Sequence, residues 1–338
     1  MADPPGKEKG IDLPRLGFLG VGWIGRHRMQ AMLESGLVCA AGVADLSPDN
    51  RREALALAPD AIEADSLAAL LDMDLDGIVI ATPSALHAAQ SIEALKRGVA
   101  VFCQKPLGRS AAEVRAVVDA ARRADRLLAV DLSYRFTAGM QAIRGRIREG
   151  ALGPLFAADL TFHNAYGPDK SWFYDPAQSG GGCMMDLGVH LVDLALWALD
   201  FPEIASSEST LFAGGQPLTD RTTQVEDYAV STLRLTTGAV VRIACSWNLH
   251  AGQEAAIAME FYGRDGGAAM RNVGGSFYGF EAWAQQGTAR HPLTSGDDAW
   301  GGRAGVDWAG RLASGGKFDS SADRLVDVAA ALDRIYDA

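Results

Sequence analysis

The sequence predicts an α/β protein, with a doubly wound parallel sheet at the N-terminus followed by an α+β domain that holds a large, open, antiparallel-rich sheet. Three observations predict it. The chain has 338 residues, enough for about two domains. Up to about residue 135, short apolar runs alternate with helical segments, as in buried parallel strands joined by helices. Beyond that point, long strand-like runs follow one another without helices between them, which is typical of antiparallel pairing.

The first half contains five predicted strands, each a nearly continuous apolar run ended by turn residues. They lie at 16–20, 38–44, 77–81, 99–103 and 127–132. Helical composition predicts the intervening helices at 23–35, 51–58, 66–71, 84–97 and 111–125. Repeated strand–helix–strand units of this length form the open parallel sheet of a Rossmann domain.

The second half is organised differently. Its predicted helices lie at 139–149 and 185–199, and its predicted strands at 155–164, 227–236, 239–249 and 256–262. Thr237 and Gly238 predict a hairpin turn between two of these strands. Residues 264–318 are rich in glycine and too weakly patterned to place elements, whereas 323–336 is a strongly amphipathic helix. We therefore predict a Rossmann domain at 13–136, an α+β domain at 137–322 and a terminal helix at 323–338.

Composition narrows the class of protein and its location. The net charge of −11 argues against nucleic acid or an anionic membrane surface as a partner. Four well-separated cysteines suit a reducing compartment. The N-terminus has no apolar signal-peptide region, and no apolar run approaches the roughly 18 residues of a membrane span. A soluble, cytoplasmic protein is expected.

A glycine-rich hexapeptide predicts a dinucleotide site. Residues 20–25 follow a predicted strand, open a predicted helix and fit the pattern G-x-G-x-x-G; the predicted contacts are Gly20, Gly22, Trp23, Ile24 and Gly25. Asp45 ends the second strand, where an acid accepts hydrogen bonds from the ribose and repels a 2′-phosphate. NAD is therefore predicted over NADP, although Arg51 and Arg52 are near enough in sequence to reach a 2′-phosphate. The alternative is a structural glycine turn beside a solvated acid.

Two further strand ends face the same predicted crevice. Thr82 and Pro83 follow the third strand, and His87 lies one helical turn beyond them, so all three are predicted cofactor contacts. Alternatively, Ser84 simply caps its helix and His87 lies on an exposed helix face. Lys105 follows the fourth strand and precedes Pro106; a lysine placed there can take part in proton transfer, and an X-Pro bond can be cis. The alternative is a surface lysine in a turn.

A glycine run followed by a helix carries the second group of candidates. Asp186 and His190 are four residues apart and share one helix face, which suits general acid–base chemistry, and Asp193 is placed to hydrogen-bond His190. Alternatively, Asp186 satisfies the helix dipole and His190 is a core histidine. A metal site is not predicted, because no third ligand lies at local spacing.

Taken together, these residues resemble the Gfo/Idh/MocA oxidoreductases, the family of glucose–fructose oxidoreductase and inositol dehydrogenase. The resemblance covers nearly the whole chain and rests on the 20–25 motif, Thr82-Pro83 with His87, Lys105-Pro106 and the 180–190 segment. It implies a Rossmann domain followed by a domain with a large open sheet, which commonly packs against another subunit to form dimers or tetramers.

The resemblance also implies roles for individual residues. Lys105 matches the lysine that binds the reacting hydroxyl or carbonyl, Asp186 the substrate-binding acid and His190 the general acid–base. Gln104, a predicted cofactor contact, stands where the family usually has Glu, so a charge is removed while hydrogen-bonding capacity is kept. The implied reaction is hydride transfer between nicotinamide and a sugar, sugar derivative or cyclitol, coupled to proton transfer through the histidine.

The substrate pocket is predicted in outline. The loop at 166–175 mixes aromatic and polar residues in the way sugar binding requires, and from it Asp169 and Trp172 are chosen as substrate contacts, together with Arg135 at the domain junction. The leading interpretation is an NAD-dependent sugar or polyol dehydrogenase that forms a homodimer or homotetramer. The alternatives are a redox-assisted glycosidase that uses the same residues and a non-catalytic cofactor-binding partner protein.

Overall fold

The computed structural model describes residues 13–338, so the predicted absence of a signal peptide at residues 1–12 lies outside the described residues. The described chain folds around two sheets, one of six strands and one of nine. The first is wholly parallel, and the second is antiparallel except for one pair of strands. The predicted fold class is therefore confirmed.

The first sheet has the strand order β3-β2-β1-β4-β5-β6, which is doubly wound about β1 and β4. Its strands are β1 (Arg15–Leu19), β2 (Cys39–Ala44), β3 (Ile62–Ala64), β4 (Gly77–Ile80), β5 (Ala100–Cys103) and β6 (Leu128–Val130). The connecting helices are α1 (Trp23–Glu34), α2 (Pro48–Leu57), α3 (Leu67–Leu71), α4 (Ser84–Lys96) and α5 (Ala111–Ala124). Both β4 and β5 are buried at every residue, which explains why they appear in the sequence as unbroken apolar runs.

The second sheet has the order β15-β14-β13-β12-β7-β11-β10-β8-β9. Its strands are β7 (Leu155–Asn164), β8 (Ile204–Ala213), β9 (Gln216–Pro217), β10 (Tyr228–Leu235), β11 (Val240–Ser246), β12 (Ala255–Gly263), β13 (Gly267–Asn272), β14 (Phe280–Gln286) and β15 (Ala289–Pro292). The central pair β7 and β11 is parallel. The predicted hairpin at Thr237 and Gly238 joins β10 to β11, and Gly238 has φ +89°, a conformation that favours glycine.

The remaining helices are α6 (Ala138–Arg148), α7 (Pro176–Ser179), α8 (Val189–Ala198), α9 (Arg303–Ala313) and α10 (Arg324–Tyr336). Helix α8 is buried along its whole length and packs on the second sheet in the largest apolar core. Among the described residues, no helix is both long and apolar enough to cross a membrane.

Near its end the chain returns to the first sheet. Trp308 on α9 is fully buried and packs against Phe102 of β5, while α10 contacts both α5 and α8. The sequence did not lead us to expect α9 there, because residues 264–318 offered no clear period. The domain boundaries at 13–136, 137–322 and 323–338 stay a prediction. The packing of α9 and α10 adds contacts between the two halves of the chain.

Several elements differ from their predicted form. The short strand β3, the strand β8 and the edge strand β9 were not predicted, nor were β13, β14 and β15 within 264–318. The predicted helix at 185–199 consists of a π-helical turn, Met184–Gly188, that leads into α8. The wider turn lies at the candidate site, where π-turns are frequently found.

Candidate active site

A cavity of about 1210 Å³ opens at the carboxyl ends of the first sheet's strands and continues towards the second sheet. It brings together fourteen of the predicted site residues. They are Gly20, Gly22, Trp23, Ile24, Asp45, Thr82, Pro83, His87, Gln104, Lys105, Asp169, Trp172, Asp186 and His190. Gly25 and Arg135 lie outside the lining. A cavity of this size at the switch point of a doubly wound sheet is where such folds bind ligands.

The glycine-rich loop is shaped for the close approach of a ligand. A Cβ on Gly20 would lie 2.6 Å from the backbone of Ala81, and one on Gly25 would lie 2.1 Å from the carbonyl oxygen of Gly20. Gly25 therefore serves the packing of α1 on β1. At Gly22, by contrast, a Cβ would meet only side-chain atoms, at 3.4 Å or more. Within residues 13–338, no side chain caps α1 at Gly22, so its backbone N–H groups are open to a pyrophosphate and this loop fits a dinucleotide.

Asp45 is held rigidly at the end of β2. Its carboxylate accepts hydrogen bonds from the backbone N–H groups of Val21 and Ser47, both at 2.8 Å, and from the Asn50 amide at 3.1 Å. The two nearby arginines have other partners. Arg51 bonds to Glu63 and to the carbonyl oxygen of Asp45, and Arg52 pairs with Asp49. An acid remains where a ribose would bind, and both arginines form ion pairs with acidic side chains, that of Arg52 at an exposed surface.

His87 is neither on an exposed helix face nor simply a cofactor contact. Its ring is buried on the cavity wall, with Nδ1 2.7 Å from the carbonyl oxygen of Pro106 and Nε2 2.7 Å from that of Thr82. It thus joins the turn after β4 to the turn after β5. Burial lowers the pKa of His87, opposed by these two carbonyl oxygens. Ser84 does not cap α4, so that alternative is wrong; Pro83 occupies the cap position without a side-chain bond.

Lys105 and Asp186 form an ion pair at the centre of the cavity. The Lys105 ammonium donates to Oδ1 and to the backbone oxygen of Asp186, both at 2.6 Å, while the indole N–H of Trp247 donates to Oδ2 at 3.1 Å. The peptide bond between Lys105 and Pro106 is cis. Two elements distant in sequence thus present one ammonium and one carboxylate to the same space.

His190 lies beside this pair. Its side chain is buried, its ring centroid is 4.9 Å from that of Tyr134, and Nδ1 has no hydrogen-bond partner among the described residues. Burial first, and then the positive charges of Lys105 and Arg28, hold the pKa of His190 well below its usual range. The imidazole is therefore neutral at pH 7 and able to accept a proton.

The predicted hydrogen bond between Asp193 and His190 is wrong, because Asp193 pairs with Arg135 instead. Both of its oxygens accept from the guanidinium of Arg135, one of them at 2.8 Å, and Asp193 is buried. Arg135 also lies over the rings of Trp197 and Phe201. Because this structural ion pair engages Arg135 outside the cavity, its expected contact with a ligand is a misassignment. Spacing along a helix shows which side chains share a face but not which residue of another element will pair with them.

Glu226 explains one glycine of the run, Gly182, and was missed by sequence reasoning. Its Oε1 accepts from the backbone N–H groups of Gly182 and Met184 at 3.0 and 2.9 Å, and from the hydroxyl of Tyr336 at 2.8 Å. A Cβ on Gly182 would lie 1.8 Å from the carbonyl oxygen of Glu226. Gly182 thus lets the Glu226 backbone approach closely, and the buried carboxylate reaches the start of the turn that carries Asp186. Burial raises the pKa of Glu226.

The second domain supplies one wall of the cavity. Trp172 stacks on Phe173 at 3.8 Å, and Lys170, from the same loop, reaches within 3.4 Å of the position that a Gly22 Cβ would take. Other lining residues were not singled out from the sequence: Tyr134, Tyr278 and Trp300. The last two lie in the segment where no elements were predicted.

A buried charged cluster lines the cavity next to Lys105. Oδ2 of Asp131 accepts from the Gln104 amide at 2.7 Å and from Nε of Arg28 at 2.6 Å. Gln104 was a predicted site residue, whereas Arg28 and Asp131 were not. Asp131 directly follows β6, and its place at a strand end was the signal that would have found it.

Comparison with known proteins places this site in a family. Residues 15–132 match the model of an oxidoreductase family with an NAD-binding Rossmann fold, and residues 140–269 match the GFO/IDH/MocA C-terminal domain. The chain is 27% identical to D-glucoside 3-dehydrogenase of Escherichia coli over 61% of its own length and 62% of that protein's. It is 34% identical to the rhizopine catabolism protein MocA of Rhizobium meliloti, over 59% and 62% of the two lengths.

The chain therefore spans less than two thirds of the length of these curated relatives. A solved structure, levoglucosan dehydrogenase in complex with NADH, shares the fold with a TM-score of 0.82 at 21% identity, over 96% of each chain. Two adjoining family models, together with the glycine-rich loop and the Lys105, Asp186 and His190 site, lead to one assignment: the chain belongs to the GFO/IDH/MocA oxidoreductase family.

Proposed function

We propose that this chain is an NAD-dependent oxidoreductase that transfers a hydride between nicotinamide and a secondary hydroxyl or carbonyl of a sugar, sugar derivative or cyclitol. The observation that carries the proposal is the meeting of Lys105, Asp186 and His190 in the cavity that also contains the glycine-rich loop. An ammonium, a carboxylate and a neutral imidazole are the groups needed to bind a carbinol oxygen and to move its proton.

In the direction of oxidation, each side chain has a separate task. Lys105 donates a hydrogen bond to the reacting oxygen and stabilises the negative charge that develops on it. His190, whose pKa is held low, takes the proton from that hydroxyl. Asp186 orients the ammonium and accepts from a neighbouring substrate hydroxyl, while Trp247 orients Asp186. When bound, the nicotinamide supplies the hydride acceptor. In reduction, the proton moves the other way.

The walls of the cavity favour a neutral, hydroxyl-rich substrate. Trp172, Tyr278 and Trp300 offer apolar ring faces, and Asp169 offers a polar group between them. Two curated relatives are named D-glucoside 3-dehydrogenase and inositol 2-dehydrogenase, and these names refer to a sugar derivative and to a cyclitol. Asp169 and Trp172 are accordingly our proposed substrate contacts, alongside Lys105, Asp186 and His190.

NAD is the proposed cofactor, in preference to NADP. The support is the fixed carboxylate of Asp45 and the engagement of Arg51 and Arg52 with acidic partners. A 2′-phosphate bound there would be repelled by the Asp45 carboxylate. Gly20, Gly22, Trp23, Ile24, Thr82, Pro83, His87 and Gln104 line the remainder of the proposed cofactor site.

We further propose a cytoplasmic homodimer or homotetramer that associates through the second sheet. The four cysteines are free in the described structure, as a reducing compartment requires, and that sheet carries exposed apolar side chains such as Phe156. Size-exclusion chromatography with light scattering tests the association, since a monomer at micromolar concentration would contradict it.

The experiment that tests the function is a panel of monosaccharides, glycosides and cyclitols, screened with NAD and with NADP by the absorbance of the reduced cofactor. We expect reduction of NAD with at least one neutral polyol, and loss of that activity in Lys105→Ala. Cofactor binding is followed separately, by the fluorescence of NADH. A protein that binds NADH but oxidises none of these substrates, and reduces none of the matching ketones, would contradict the proposal.

A further inference from the structure

The buried cluster of Arg28, Gln104 and Asp131 has a role that the proposed reaction does not yet explain. The three side chains come from α1, from the residue after β5 and from the residue after β6, and each is at most 7% exposed. One oxygen of Asp131 accepts both the Gln104 amide and the Arg28 guanidinium. A single carboxylate thus joins three elements at the edge of the sheet that carries the active site.

The cluster adjoins the groups proposed to carry out the chemistry. Gln104 directly precedes Lys105 in the chain, so the amide bond to Asp131 orients the turn from which the Lys105 ammonium extends. Arg28 lies near enough to His190 to lower its pKa. A buried guanidinium next to a catalytic imidazole requires a counter-charge, and among the described residues its ion-pair partner is Asp131.

Residue 104 cannot be chosen independently of residue 131. A glutamate at 104, the usual residue in the family that the sequence resembles, would place a second carboxylate about 2.7 Å from Asp131 in a buried site. Two carboxylates at that distance repel strongly, so one would have to keep a proton or move away. The Gln104 amide avoids the conflict because it donates, and the single negative charge then stays on Asp131.

We propose that Asp131 is a positioning residue of this active site, which neutralises Arg28 and, through Gln104, orients the turn that carries Lys105. Positions 104 and 131 together then supply one negative charge, and either position can carry it. This inference rests on the proposed dehydrogenase function, because the group being positioned is the lysine assigned to bind the reacting oxygen.

A double-mutant cycle tests the coupling. Gln104→Glu adds a second carboxylate and Asp131→Asn leaves Arg28 without a counter-charge, so we expect each to lower kcat/KM by about tenfold to a hundredfold. The double variant Gln104→Glu/Asp131→Asn exchanges the charge and the amide between the same two positions. Its kcat/KM should return to within about threefold of the wild type. Losses that simply multiply in the double variant would overturn the proposal.

The pH profile separates positioning from a merely structural role. His190 is faced by Lys105 from the turn after β5, Arg28 from α1, Tyr134 from the turn after β6 and Asp186 from the preceding π-turn. Loss of the Asp131 charge leaves Arg28 free to lower the pKa of His190 further. The acid limb of kcat/KM should therefore move to lower pH in Asp131→Asn and return in the double variant. A limb that stays in place in Asp131→Asn would contradict the electrostatic part of the proposal.

Two further measurements keep the outcome clear. Thermal unfolding and the NADH dissociation constant are recorded for the wild type, the two single variants and the double variant. The coupling between residues 104 and 131 is then measurable even if no substrate is oxidised. A lack of oxidation in the wild type would count against the proposed function alone. If a single variant does not fold, recovery of folded protein by the double variant supports the coupling, and failure of the double variant overturns it. Asp72→Asn is the matched control, because Asp72 pairs with Arg97 at an exposed surface.

Discussion

At the scale of single residues, the surroundings of His190 determine its chemistry. The ring is buried, two cations lie nearby, and its Nδ1 has no partner among the described residues. In many paired histidines a carboxylate stabilises the imidazolium. Here the nearest candidate in sequence, Asp193, is taken up by Arg135. These surroundings therefore favour the neutral imidazole, the form in which a general base can accept a proton.

His190→Asn tests this role. We expect kcat to fall by about a hundredfold to ten-thousandfold, since a general base is removed, while the NADH dissociation constant changes little. Steady-state kinetics and a fluorescence titration measure the two quantities. His163→Asn is the control, because His163 lies on β7 outside the cavity lining and bonds to Ser246. Equal losses in both variants would indicate general destabilisation and not a lost base.

Asp45 allows a second prediction at this scale. In Asp45→Ser the carboxylate that receives a ribose and repels a 2′-phosphate is gone. We expect the ratio of kcat/KM for NAD to that for NADP to fall by about tenfold or more, the size of one lost hydrogen bond to a charged group. Asp72→Ser serves as the control, because Asp72 is an exposed partner of Arg97 and neither residue lines the cavity. An unchanged ratio in Asp45→Ser would remove Asp45 from the basis of cofactor choice.

At the scale of elements, the turn that carries Asp186 depends on a carboxylate from the segment just before β10 of the second sheet. Glu226 satisfies two backbone N–H groups at the start of this turn and the hydroxyl of Tyr336 on α10. Glu226→Ala leaves these buried donors without an acceptor. We expect the free energy of unfolding to fall by about 3 kcal/mol or more, and kcat/KM to fall with it. Denaturant unfolding measures the first, and Glu208→Ala, an exposed acid on β8, is the control.

The loop at 165–175 joins the two halves across the cavity. The Lys170 ammonium reaches the neighbourhood of Gly22, where the pyrophosphate of a dinucleotide is proposed to bind. Lys170→Met should raise the dissociation constant of NADH by about fivefold. The increase should be smaller at high salt, because the attraction between the exposed ammonium and the pyrophosphate is screened by ions. Lys317→Met, which removes an exposed lysine paired with Asp125, should leave it unchanged. A loss in Lys170→Met that does not depend on salt would point to a steric cause.

The elements also show what the sequence could and could not predict. The first sheet was predictable because its strands are largely buried and each crossover carries a helical period. The exception, β3, is exposed at two of its three residues, so no apolar run marks it. Strands β13 to β15 were not, since small and polar residues such as those of Gly267–Asn272 give no alternation. Lys105, Asp186 and His190 were found because each follows a strand end or a glycine run. Asp131, Glu226 and the pairing of Arg135 depend on contacts between distant elements, which no local pattern records.

At the scale of the whole molecule, the cavity lies where the chain crosses twice between its two halves. The first crossing leaves β6 through Asp131, Tyr134 and Arg135, and the second returns through α9, whose Trp308 fills a space beside Gly77. Helix α10 then packs on both α5 and α8. Since the glycine-rich loop and Lys105 belong to one half and Asp186 and His190 to the other, these crossings and α10 hold the two sides of the cavity together.

The buried histidines make stability depend on pH. Burial lowers the pKa of both His87 and His190 in the folded protein below the value of about 6.5 that the unfolded chain has. Below that pH the unfolded state binds protons that the folded state does not. The stability contribution of these groups is thus fully present above about pH 6.5 and is lost as the pH falls, by up to about 1.4 kcal/mol per pH unit for each histidine.

We therefore expect the midpoint of thermal unfolding to drop between pH 7.5 and pH 5.5, and to drop less in His87→Gln/His190→Asn than in the wild type. The double substitution also changes packing, which shifts the unfolding midpoint at every pH. The slope of the midpoint against pH is therefore the quantity to compare. Some slope will remain in the double variant, because burial also lowers the pKa of His27 and His163. His291→Gln, an exposed position on β15, should keep the wild-type slope. If the double variant also keeps the wild-type slope, the fold does not hold the two imidazoles neutral. That result would contradict the proposed neutral state of His190.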